Sequence, residues 1–189
     1  MDEFGYLSVL LSIIIGLAMT QLLFGFRGMV LSRARVTTYA PPITWAVSLM
    51  LIAVQSWWAM FGLRELKTWT FLQFAVVLAQ TVLLYMMAGL VLPDFPGDRP
   101  TNLRVHYYEH RRVFFSVAVV SALISLAKDL VISGHLPAAP NVGFHVFYIV
   151  AGVSAAVTAR EWYHRLLAPV MLAMFCVYIA VLFTRLPGG

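Results

Sequence analysis

The run Leu7–Phe26, LSVLLSIIIGLAMTQLLFGF, decides the fold. It contains no charged residue. At about 1.5 Å per residue a helix of that length covers roughly 30 Å, the thickness of a bilayer's hydrocarbon core. Ser8, Ser12, Gly16 and Thr20 recur in it at intervals of four. On a helix they form a slanting stripe of small side chains, where a second helix can come close and hydroxyls can bond across the contact. Ser121, Ser125, Asp129 and Ser133 repeat the spacing further on. The two stripes predict that the first and fourth apolar segments form the inner pair of a membrane bundle.

Composition agrees. The chain has 189 residues, of which 61% are hydrophobic and 11% charged, with a mean hydropathy of +0.86. A soluble domain carries about twice that charge. The net charge of +5 reflects basic residues at helix ends, a signature of membrane topology and not of nucleic-acid binding. One cysteine, Cys176, excludes an intrachain disulfide framework. The acidic start MDEFGY lacks a basic leader region, so the first segment is expected to stay as a helix.

Outward from the first span, five more apolar runs are predicted, giving spans at about 7–26, 42–63, 69–92, 112–133, 142–159 and 166–184. The expected fold is all-α, a single domain of six transmembrane helices over 1–189. Pro41 and Pro42 suit the first turn of span two, and Trp57 and Trp58 its aromatic belt. PDFPGDRPTNLRVHYYEH (93–110) reads as an ordered turn followed by a short interfacial helix. Span five is rich in small residues (Ala151, Gly152, Ala155, Ala156, Ala159) and is expected near the bundle's middle. The segments after spans one, three and five hold Arg27, Arg33, Arg35, Arg99, Arg104, Arg111, Arg112, Arg160 and Arg165. The opposite side holds Arg64, Lys67, Lys128 and Arg185. The excess predicts the first group inside, both termini outside, and a bacterial inner membrane as the setting.

A faint internal similarity relates 1–93 to 106–187. YLSV (6–9) resembles FFSV (114–117), and Arg64-Glu65 and Arg160-Glu161 end spans two and five. Three spans per unit would make the second unit inverted, an architecture frequent in transporters.

Three function classes follow. The first is a transporter or channel for an ion or small solute, its path lined by Thr20, Gln21, Gln55, Gln73, Gln80, Ser121, Ser125 and Asp129. Polar groups at these depths are costly against lipid and should face inward. Asp129 with Thr20 and Gln21 would make an ion or proton site, while the simpler reading of Lys128-Asp129 is an interfacial pair. The second class is a non-catalytic subunit packing against itself or a partner membrane protein. The third is a metal-dependent enzyme. His106-Tyr107-Tyr108-Glu109-His110 fits the H-x-x-E-H pattern, with its two histidines one helical turn apart. His106, His110, Glu161 and His164 could then hold a divalent metal at the inner face. Haem is not expected, because no histidine falls mid-span on these boundaries. No phosphate-cradling loop, dinucleotide fingerprint or serine-nucleophile motif is present, and the balance leans away from an enzyme. The bilayer is the expected partner, with a homo-oligomer giving the narrow bundle room for a path.

Overall fold

The computed structural model describes residues 3–66, 68–95 and 100–182. It is all-helical apart from one two-residue strand pairing. α1 covers Glu3–Leu31, α2 Ala40–Met60, α3 Phe71–Val91, α4 Leu103–Ser133, α5 Ala139–Val157 and α6 Glu161–Leu182. All six are long and apolar enough to cross a membrane. Span two continues as a tight 3-10 turn over Phe61–Glu65. The expected interfacial helix before span four is instead the first two turns of α4 itself, which runs unbroken for 31 residues. The last two residues of the expected sixth span, 183–184, lie outside the described residues, as do Arg99, Lys67 and Arg185.

Local chemistry sets the ends. Thr70 and Gln73 form a capping box on α3: the Gln73 N–H donates to Thr70 Oγ1 (3.3 Å), and the Thr70 N–H to Gln73 Oε1 (2.9 Å). Asn102 Oδ1 accepts from the N–H groups of Arg104 (3.0 Å) and Val105 (3.3 Å) to start α4. Gly134, at φ 74°, closes α4 in the left-handed conformation that glycine adopts without strain. Pro41 and Pro42 are buried in the first turn of α2.

Neighbouring helices run antiparallel, so the bundle has two ends. At the basic end meet the α1–α2, α3–α4 and α5–α6 connections; the far end holds the start of α1 and the α2–α3 and α4–α5 connections. α1 packs on α3 and α2, α3 on α4, α4 on α5, and α2 on α6. α2, which touches α1, α3, α4 and α6, is the hub. The basic end is laced together. β1 (Val36–Thr37) pairs in parallel with β2 (Thr101–Asn102), joining two connections. The close approach of α1 to the end of α3 uses Gly25 and Gly28, where a Cβ would meet Leu92 at 2.8 Å and Phe95 at 2.5 Å.

Two expectations are corrected here, on the inner pair and on α5. α1 and α4 are not the inner pair; they share no extensive packing among the described residues. α1 turns Leu11, Ile15, Ala18 and Leu22 to the core, while Gly16 and Thr20 face outward, and a Cβ on Gly16 would meet nothing within 4 Å. Apolar bulk, not the small-residue stripe, fills the α1–α3 seam. α5 is not central either, because Val146, Val150, Val153 and Val157 are exposed. Its small residues serve a seam with α4, where a Cβ on Gly152 would sit 2.7 Å from Val119 Cγ2. Helix pairing also lends the duplication no support. α1 packs extensively on α3, but their counterparts α4 and α6 do not pack so among the described residues.

Candidate functional site

α4 carries the clue to a site. Only 6% of its most apolar stretch is buried, against 22–33% for the other five helices. Ser116, Val120, Leu123, Ala127 and Leu130 form an exposed stripe at helical spacing. The opposite face, with Ser121 and Ser125, borders a partly open cavity between the helices.

That cavity, of about 160 Å³, lies between α2, α3, α4, α5 and α6. Its walls include Gln55, Gln80, Ser121, Ser125, His145 and Tyr148. A second space of about 310 Å³ opens toward the far end past Gly62, Lys128, Asp129, Ser133 and Asn141. Gln55, Ser56, Gln80, Ser125, His145 and Tyr178 line both, so the two form one cleft running from the far end into the bundle. The volume holds several waters or one small solute. The basic end is closed. Trp45 meets Phe114 and Phe115 edge-to-face at centroid distances of 5.8 and 5.3 Å, and these rings make the floor.

His145 organises the cleft wall. It is buried, and its Nδ1 faces the Asn141 carbonyl one turn back at 2.8 Å. A carbonyl only accepts, so Nδ1 carries the proton. Nε2 then accepts from the Ser125 hydroxyl at 3.0 Å, pinning α5 to α4. Two buried polar atoms beside it have no protein partner: the Tyr148 hydroxyl and Asn141 Oδ1. Both belong to residues lining the cleft. Buried polar atoms without partners are rare and mark a place for water or a ligand. Lys128 and Asp129 stand at the mouth, half-buried, with no salt bridge or hydrogen bond among the described residues. Neighbours in sequence point about 100° apart on a helix and cannot face each other.

Of the expected path residues, Gln55, Gln80, Ser121, Ser125 and Asp129 line the cleft. Thr20, Gln21 and Gln73 do not. Thr20 is exposed on the outside of α1, and its hydroxyl bonds back to the Gly16 carbonyl (2.8 Å). Gln21 stays on that same helix, away from α4, so neither residue joins Asp129. Gln73 is a cap, seven residues from Gln80 but at the helix's start. His145, Tyr148, Tyr178 and Asn141 were not singled out as path residues. With span five started at 142, His145 reads as a residue at the outer end of that span, not as one inside the bundle. The Pro140 start of the helix is the signal that draws it inside.

The expected metal quartet is not assembled; among the described residues no group of three or more His, Cys, Asp or Glu side chains is set to hold an ion. Each member is engaged elsewhere. His164, fully buried, gives its Nε2–H to the Thr158 carbonyl (2.8 Å) and accepts at Nδ1 from the Tyr107 hydroxyl (2.8 Å). Glu161 bridges Arg104 (2.9 Å) and Arg165 (2.7 Å). His106 Nε2–H donates to the Leu90 carbonyl and His110 Nδ1–H to the His106 carbonyl, both at 3.0 Å, and the two rings stack at 4.3 Å. These residues instead lock the basic end. Tyr39, from the α1–α2 connection, is buried among them and bonds the Tyr108 hydroxyl at 3.1 Å. Burial, then the Tyr108 hydroxyl, raises the Tyr39 phenol above its ordinary range, so it stays protonated.

No protein-family model, curated protein or solved structure matches this chain.

Proposed function

We propose that this chain is a multi-pass membrane protein that carries a small polar solute through the cleft between its helices. The basic end faces the cytoplasm and the far end faces outward. One observation carries the reading: a cleft whose mainly apolar wall carries Gln55, Gln80, Ser125 and His145 opens at one end of the bundle and has an aromatic floor at the other. Polar groups between apolar helices are costly unless they line water or a ligand. A closed floor favours a carrier that alternates its opening over a permanently open channel.

A second reading has its own observation. The outward Gly16 and Thr20, beside Ser12, leave a shallow small-residue seam on α1 that suits a partner helix. In this reading the protein is a packing subunit and its cleft is a static, hydrated space.

A labelling experiment separates the two. Cys176 is the chain's only cysteine. In a Cys176→Ser background, Ser125→Cys is reconstituted in liposomes and exposed to a membrane-impermeant maleimide from each side. A carrier is labelled from the far side quickly and from the basic side slowly but to completion. Labelling from the far side alone defeats the carrier reading and leaves the packing subunit. No labelling from either side defeats both the cleft and the carrier.

A further inference from the structure

The mouth of the cleft has a charge arrangement that names a ligand class. Lys128 and Asp129 both line the opening, and neither makes a salt bridge or hydrogen bond among the described residues. Charges taken even partly out of water are expensive unless well paired, and adjacent helical residues do not face each other, so Lys128 and Asp129 attract without forming a salt bridge. A molecule carrying both a carboxylate and an ammonium would pair both at once. Inward of them the wall changes character. Ser125 lies about 6 Å and Ser121 about 12 Å below Asp129 along α4, one and two turns down. At that depth the wall is neutral and aromatic. Tyr178 and Phe175 stack at 5.7 Å, and Tyr148 lies beside both rings. The Tyr148 hydroxyl lacks a protein partner there. A cation or an anion alone would leave one mouth charge uncompensated, and a second charge deeper in would meet none.

We propose that the cleft binds a free amino acid with an apolar or aromatic side chain. Its carboxylate sits on the Lys128 ammonium, its ammonium on the Asp129 carboxylate, and its side chain against Tyr178 and Phe175. This rests on the cleft being a solute site, and it adds what that solute is.

The test is equilibrium binding to the full-length protein in detergent. L-phenylalanine and L-leucine are compared with 2-phenylethylamine, which lacks the carboxylate, and 3-phenylpropionate, which lacks the ammonium. Saturable binding of at least one amino acid is expected, with each single-charge analogue weaker by about tenfold or more. Lys128→Met should weaken amino-acid binding by a similar factor and abolish the preference over phenylethylamine. Asp129→Asn should do the same for the preference over phenylpropionate. Lys128→Arg and Asp129→Glu should keep both preferences, which separates recognition from a folding defect. No saturable amino-acid binding, or analogues binding as tightly as phenylalanine, overturns the proposal. Two-sided labelling of Ser125→Cys together with absent amino-acid binding would sink the ligand class and leave the carrier standing. Absent labelling would sink both.

Discussion

His164 shows how one residue can be misjudged from sequence and explained by its neighbours. Beside Glu161 in REWYH it resembles a metal ligand. Buried, it is a fully satisfied hydrogen-bonding hub between the end of α5 and the start of α4. The donor on one side is the Tyr107 hydroxyl, so Tyr107→Phe leaves Nδ1 buried without a partner. A loss of about 1–3 kcal/mol is expected, read as a lower unfolding midpoint in detergent. A variant as stable as the parent would show that water reaches this site. His145 makes the converse case. It has the same two-bond pattern, but orphaned polar atoms lie beside it, so the same residue type lines a cavity instead of closing one.

At the scale of the element, the two glycines of small-residue stripes part company. Gly152 sits in a seam where a side chain would press on Val119, and Gly16 faces open space. Gly152→Leu should therefore cost about 1–3 kcal/mol of stability through overpacking. Gly16→Leu should change it by less than about 0.5 kcal/mol. Equal effects in thermal unfolding of the monomer would contradict the helix orientations. Six helices were legible because length and apolarity are properties of each segment alone. Which face of each looks inward was not, because in an apolar helix both faces resemble each other. α1 illustrates this: its serines and glycine suggested a packing face, yet Leu11, Ile15, Ala18 and Leu22 do the packing. The α4 stripe was readable because Ser121, Ser125 and Asp129 oppose Val120, Leu123, Ala127 and Leu130, a contrast that α1 lacks. Gln73 was misread for a related reason. An amide at helix position N3 serves the backbone, and only the capping threonine immediately before α3 reveals it.

For the whole molecule, the asymmetry between ends is the main result. The basic end is held by a strand pairing, a bridging carboxylate between two arginines and a packed aromatic cluster. The far end has an open cleft with Lys128 and Asp129 at its lip, neither in a salt bridge among the described residues. The excess of arginine at one end was legible in the chain, but which end is laced shut and which is open was not, because that depends on pairings between distant residues. The central claim is that one face of α4 looks onto water and the other onto lipid. A nitroxide scan of residues 118–132, one site at a time in a Cys176→Ser background in bilayers, tests it most directly. Accessibility to a water-soluble nickel relaxant should peak at Ser121, Ser125 and Asp129, and accessibility to oxygen at Val120, Leu123, Ala127 and Leu130. Oxygen peaks at 121 and 125, or no periodic nickel signal along the helix, would contradict the account.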